Sequence, residues 1–167
     1  MIKNILTYPN PTLKKVSKEV TKIDDKIKAV INNLFDTMYA SDNGCGLAAP
    51  QIGSLYRITV IDVSEDKSEK MCLINPKIIK KEGEFKGMEG CLSFPGVFEK
   101  VKRFETITFE AMNENGETYQ KECDGLLAEC VQHEIDHLDG ILFIDKMSPL
   151  RRNRLLTKYK KIEKVKV

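Results

Sequence analysis

Residues 130–138 have the sequence Cys-Val-Gln-His-Glu-Ile-Asp-His-Leu and contain both histidines of the chain. The histidines are four positions apart, with a glutamate directly after the first. On an α-helix, positions i and i+4 lie on one face, so His133 and His137 can hold one metal ion. Glu134 beside them can accept a proton from a water that the metal activates, as in HExxH hydrolases. The pattern predicts a catalytic metal helix; the alternative is a polar helix face that carries these residues by chance.

The flanks of this stretch predict a buried helix. Asp124 can cap its N-terminus, and Gly140 is a natural stop just after Leu138. Its apolar surface is wide, so we expect the helix to lie in the middle of the fold with strands packed around it. That surface is formed by Leu126, Leu127, Val131, Ile135 and Leu138.

The remaining sequence predicts an α+β fold, with small antiparallel or mixed sheets around the central HExxH helix and with an N-terminal and a C-terminal helix. Asp24 can cap the first helix, which should end near residues 42–44. Pro149 is well placed at the first position of the last helix, about residues 149–165. Alternation and β-branched residues predict strands at 55–63, 71–75, 77–82, 106–112, 117–123 and 141–144.

Two glycine-rich segments lie outside these elements, at residues 44–53 and 84–96. The first is either a tight turn between helix and strand or a loop that lines a site, with Gln51 as an amide donor. The histidine pair also needs a third ligand. A third histidine is absent, so a thiolate is the natural choice. Spacing leaves Cys91, Cys130 and Cys45 as candidates, and a ligand from a separate loop such as Cys91 closes tetrahedral angles more easily.

The composition is that of a soluble protein, and we expect residues 1–167 to form a single domain. The chain is 41% hydrophobic and 31% charged, with a net charge of only +2, so we expect no binding to DNA. It has no apolar run of membrane-spanning length. Five scattered cysteines without a CxxC pair, and an N-terminus without signal-peptide organisation, predict reduced thiols in the cytoplasm.

The C-terminal segment is strongly basic. From Arg151 onward it contains eight Lys or Arg residues against one acidic residue, Glu163. Such a run is usually a solvated helix face, and a surface that contacts RNA is the alternative. The basic residues are Arg151, Arg152, Arg154, Lys158, Lys160, Lys161, Lys164 and Lys166.

Three separated motifs of the chain together resemble those of bacterial peptide deformylases, in the same order. They are Gly-Cys-Gly-Leu-Ala-Ala-Pro-Gln at 44–51, Glu-Gly-Cys-Leu-Ser at 89–93 and Gln-His-Glu-Ile-Asp-His at 132–137. The resemblance extends from Tyr8-Pro9 to the start of the last helix. It implies removal of the formyl group from the N-terminal formylmethionine of nascent polypeptides, with release of formate.

The resemblance also implies roles for individual residues. The metal ligands would be Cys91, His133 and His137, with Fe²⁺ as the physiological ion and Zn²⁺ or Ni²⁺ as substitutes. Glu134 would transfer protons, while the Gln51 amide and the Leu92 backbone N–H would stabilise the oxyanion. Relatives with a basic C-terminal helix use it to bind the ribosome, and this tail is similar. The implied substrate-binding residues are Gly44, Cys45, Gly46, Glu89, Leu126 and Cys130.

Two positions depart from the pattern of the family. Cys45 stands where an aliphatic residue usually lines the methionine pocket, and Glu129 stands where relatives are often apolar. A glutamate is usually exposed, so we expect Glu129 to turn to solvent. Three alternatives to a deformylase stay open at this point: another HExxH hydrolase such as a small metallopeptidase, a closed structural site in which Cys130 is a fourth ligand, and a family member that has lost activity.

Overall fold

The computed structural model describes residues 1–165, so Lys166 of the basic tail lies outside the described residues. Within them the chain forms helices α1 (Asp25–Ala40), α2 (Gly125–Leu138) and α3 (Pro149–Val165). The carboxylate of Asp24 accepts a hydrogen bond from the backbone N–H of Ile27 at 3.0 Å, which confirms the predicted cap of α1. Asp124 is the N-cap residue of α2, as predicted, but its side chain makes no capping hydrogen bond.

The strands form two antiparallel sheets, in agreement with the predicted α+β fold. A two-stranded sheet pairs β4 (Phe85–Gly90) with β5 (Phe98–Arg103). A five-stranded sheet has the order β1-β2-β3-β6-β7. Its strands are β1 (Gly46–Ala48), β2 (Ile58–Ile61), β3 (Met71–Glu82), β6 (Thr106–Met112) and β7 (Thr118–Asp124).

Helices α1 and α2 cover opposite faces of the five-stranded sheet. Successive side chains of a strand point to opposite faces, and β2 is buried on both. Ile58 and Val60 pack in the hydrophobic cluster of α1. Ile61 instead packs with Val131 and Ile135 of α2. The HExxH helix is therefore central, as the width of its apolar surface predicts, although Leu126 of that surface is 55% exposed.

Two sequence-based predictions about strands were wrong, and one pair of strands was missed. The predicted break at Asn75-Pro76 is a register shift inside one long strand, β3, where Asn75 adopts a positive φ of 50°. Residues 141–144 are not a strand, because the chain forms a 3₁₀ turn at Phe143–Lys146 instead. The hairpin of β4 and β5 was not predicted, since β4 contains Gly87 and Gly90, which conceal the alternation of a strand, and without β4 its partner β5 was not assigned.

Helix α3 lies against the body of the protein through a narrow contact. Leu155 and Tyr159 are its buried residues, and they pack in the cluster that contains Phe94 and Phe143. The hydroxyl of Tyr159 also donates a hydrogen bond to the carbonyl of Tyr8 at 2.9 Å. Across residues 1–165, no helix has both the length and the apolar content needed to cross a bilayer.

Candidate metal centre

The two histidines of α2 face the same side of the helix, as their spacing predicts. Their ring centroids lie 5.0 Å apart, and both residues are buried. Cys91 follows directly after β4 and approaches them from the β4–β5 hairpin. Its Sγ lies 3.4 Å from Nε2 of His137. The structure therefore brings a separate loop against the helix at this point.

These three side chains fit a metal ion. One potential ligand atom from each of Cys91, His133 and His137 lies within 4.8 Å of the other two. One thiolate and two imidazoles suit a borderline ion such as Zn²⁺ or Fe²⁺, and three protein ligands leave a position open for chemistry. Among residues 1–165, Cys45 and Cys130 do not belong to this group, which removes the basis for a closed four-ligand site.

A buried ion-pair network orients His133. Nδ1 of His133 lies 2.9 Å from a carboxylate oxygen of Glu89, which leaves Nε2 for a metal. The guanidinium of Arg103 donates two hydrogen bonds to Glu89, both at 2.8 Å, and one to Asp136 at 2.6 Å. Burial alone would raise the pKa of Glu89, but the hydrogen bonds from Arg103 and His133 outweigh it and lower this pKa to about 2. Glu89 is therefore a fixed carboxylate.

The two imidazoles differ in their electrostatic surroundings. Burial and the neighbouring His133 lower the pKa of His137 well below its usual value. Burial acts on His133 in the same direction, but hydrogen bonds to Cys91 and Glu89 raise the pKa of His133 well above its usual value. A metal ion at Nε2 would have to displace a proton from His133, so metal binding should release protons.

Glu134 is buried beside the ligands with one oxygen unused. Its side chain is 3% exposed, and Oε1 has no hydrogen-bond partner among the described residues. Burial raises the pKa of Glu134 to about 7. A carboxyl group with this pKa can both accept and release a proton near neutral pH.

Gln51 links the glycine-rich segment to the metal group. Its Oε1 accepts a hydrogen bond from the backbone N–H of Ala48 at 2.9 Å. Its Nε2 donates to Oγ of Ser93 at 3.1 Å and lies 3.7 Å from Sγ of Cys91. Residues 44–53 thus form β1 and a 3₁₀ turn that line a site, rather than a simple connection.

The metal group opens into a cavity of about 410 Å³. Every residue that the sequence assigned to the site lies in its wall except His137, which is almost fully buried. Those wall residues are Gly44, Cys45, Gly46, Gln51, Glu89, Cys91, Leu92, Leu126, Cys130, His133 and Glu134.

Sequence reasoning misjudged one residue of this site and missed another. Glu129 does not turn to solvent: it is 8% exposed and lines the cavity, and burial raises its pKa. It lies on the face of α2 that carries Cys130 and His133. Arg103 was not predicted, because its partners Glu89 and Asp136 come from different elements and no local pattern connects them.

Comparison with known proteins gives a consistent result. The family model described as polypeptide deformylase matches residues 2–153. A peptide deformylase of Neisseria meningitidis serogroup C is 48% identical over 161 residues, which is 96% of each chain. The crystal structure of a peptide deformylase from Legionella pneumophila superimposes with a TM-score of 0.95 at 43% identity, covering 99% of this chain and 98% of that one. One from Ehrlichia chaffeensis in complex with actinonin gives a TM-score of 0.90 at 38% identity, covering 97% and 98%.

Proposed function

This chain belongs to the polypeptide deformylase family, whose members are metal-dependent hydrolases that remove the formyl group from N-terminal formylmethionine, and we propose that Cys91, His133 and His137 hold its metal ion. The proposal rests on one observation. The ligand atoms of these three residues converge beside a carboxylate oxygen of Glu134 that has no hydrogen-bond partner among the described residues. A divalent ion held there would polarise the formyl carbonyl and lower the pKa of a water molecule.

Glu134 moves the proton in this proposal. It takes a proton from the attacking water and gives it to the amine nitrogen as the bond between carbon and nitrogen breaks. The products are formate and a polypeptide with a free amino terminus. The raised pKa of Glu134 suits both halves of this transfer.

Gln51 and Leu92 stabilise the oxyanion. Gln51 holds its amide nitrogen close to Sγ of Cys91, and Leu92 is the next residue of the chain after that ligand. Both lie in the cavity wall. One donor aimed at a developing oxyanion contributes about 3 kcal/mol of transition-state stabilisation.

The methionine side chain of the substrate occupies the cavity. Gly44 and Gly46 present backbone to it, and Cys45, Leu126 and Cys130 supply apolar or weakly polar surface. Glu89 acts from the wall by holding His133 and Arg103. The remainder of the nascent polypeptide extends out of the open side of the cavity.

Glu134→Gln tests the mechanism. The variant should bind the metal normally, because Glu134 is not a ligand, and its formate release from a formyl-Met peptide should fall by roughly 10²–10⁴-fold. Metal content is measured by elemental analysis of the same preparation. Near-normal turnover in a metal-loaded variant would remove Glu134 from the mechanism.

The physiological ion of the proposal is Fe²⁺, with Zn²⁺ or Ni²⁺ able to replace it at the same ligands. Iron bound through a thiolate is sensitive to air, because the metal and the sulfur can both be oxidised. The Fe²⁺ form should therefore lose formate release in air faster than the Ni²⁺ form, with both assayed from anaerobic stocks. Equal half-lives would count against iron-linked lability.

In this proposal the enzyme acts in the cytoplasm, close to the ribosome. Five free thiols are compatible with a reducing compartment. The exposed basic residues of α3 suit a surface rich in phosphate, and the substrate is a nascent polypeptide.

A further inference from the structure

Two thiols in the cavity wall lie close enough to react with each other. Sγ of Cys45 lies 3.7 Å from Sγ of Cys130, although the residues are 85 positions apart in the chain. Cys45 precedes β1, and Cys130 belongs to α2. Both are free cysteines, and neither belongs to the metal group. The mechanism above uses neither thiol as a reacting group.

We propose that Cys45 and Cys130 form a reversible disulfide, so that this pair is a covalent modification site in the cavity wall, with a hydroperoxide as its oxidant. The bond would close the two sulfurs from 3.7 Å to about 2.05 Å. The backbone already approaches there, since a Cβ added to Gly46 would lie 2.7 Å from Sγ of Cys130. The bond would join the residue directly before β1 to α2, two segments that already lie side by side.

The two thiols have different roles in the oxidation. Cys45 is half-buried and lines the cavity, so a small oxidant can reach it, whereas Cys130 is 6% exposed. The contact with Cys130 lowers the pKa of Cys45 to about 7. The same contact, together with burial, raises the pKa of Cys130. Cys45 is thus the thiol that an oxidant meets first, and it reacts as its thiolate.

The reaction balances in two steps. The Cys45 thiolate attacks the terminal oxygen of the hydroperoxide, which breaks the O–O bond and leaves a sulfenic acid and an alcohol. The sulfur of Cys130 then attacks the sulfenic sulfur, and the displaced hydroxyl leaves as water with the Cys130 proton. The two thiols lose two electrons, which reduce the peroxide bond. A dithiol reductant reverses the modification.

The bond would change the cavity beside the catalytic carboxylate. The same Cβ at Gly46 would lie 2.8 Å from Oε2 of Glu134, so the Cys45–Cys130 contact and Glu134 share one tightly packed corner. Drawing the two sulfurs together alters the wall against which the substrate lies. A misplacement on the order of 1 Å in such a site costs roughly 10²-fold in rate, which is the loss we expect on oxidation.

Peptide mapping of the Ni²⁺-loaded holoenzyme tests the proposal, because Ni²⁺ occupies the Cys91 thiolate. The protein is treated with hydrogen peroxide, alkylated and digested with trypsin without reduction. The three relevant thiols fall in separate peptides: Cys45 in residues 29–57, Cys91 in 87–100 and Cys130 in 122–146. We expect a cross-link between the first and the third, and dithiothreitol should remove it and restore formate release.

Variants complete the test. Peptide 122–146 also contains Cys123, so the Cys123→Ser control should keep the cross-link and the reversible loss. Cys45→Ser and Cys45→Ala should show neither the cross-link nor the loss of formate release, with each variant compared with its own unoxidised sample. A cross-link to peptide 87–100, no cross-link, or a cross-link without loss of formate release would overturn the proposal. The mass measurement does not depend on the catalytic roles assigned above.

Discussion

Helices α2 and α3 have similar lengths, 14 and 17 residues, but opposite surroundings. In α2 ten residues are buried, whereas within Pro149–Val165 the buried residues are Leu155 and Tyr159. The polar groups of α2 meet buried partners such as Glu89 and Arg103, while Arg151 of α3 pairs with a partly exposed Glu99. A reaction between atoms at fixed distances needs side chains held by buried partners, as in α2. A charged surface that binds a large partner needs only exposed side chains, as in α3.

The largest expected difference between the helices concerns the metal. His137→Ala should remove most of the bound metal and almost all formate release, because two remaining ligands hold a divalent ion poorly. Lys161→Ala on the exposed surface of α3 should retain both. Elemental analysis and formate release are measured on each purified variant. Full metal occupancy in a folded His137→Ala protein would exclude that residue as a ligand.

A second comparison concerns the arginines that pair with each region. Arg103→Met removes the guanidinium that pairs with the buried carboxylate of Glu89 and with the partly buried carboxylate of Asp136, which should lower the free energy of unfolding by about 3–5 kcal/mol. Arg151→Met removes a solvent-screened pair and should cost less than about 1 kcal/mol. Urea unfolding of both variants gives the difference. Equal losses would mean that the buried network is not what holds α2 in place.

The smallest expected effect concerns the exposed surface of α3. Arg154, Lys158 and Lys161 are exposed and lie at i, i+4 and i+7, on one face of the helix. Changing all three to Gln should weaken ribosome binding at low salt and reduce its dependence on salt concentration by roughly 2–3 in log–log slope. Formate release from a short peptide should not change. Equal binding of variant and parent at low and moderate salt would leave α3 as a solvated surface.

The same contrast explains how much the sequence could predict. His133 and His137 were identified because helix geometry alone places them together. The environment of Glu129 was misjudged because exposure rules describe average glutamates, whereas this one lies on the helix face that borders the cavity. Arg103 has no local pattern, since its two partners meet only in the folded protein. Residues 141–144 are apolar enough for a strand, but the chain turns there and forms a 3₁₀ turn at Phe143–Lys146.

The close approach at Gly46 has a consequence for inhibitor resistance. A side chain there would collide with both Cys130 and Glu134, so a substitution at Gly46 would displace at least one of these side chains, and Glu134 is the proposed catalytic carboxylate. Cys45 and Glu129, by contrast, contribute side chains to the same cavity. We therefore expect few single substitutions to weaken an inhibitor that contacts the backbone of Gly46 and the carboxylate of Glu134. An inhibitor that depends on the side chain of Cys45 or Glu129 can lose its affinity through one substitution.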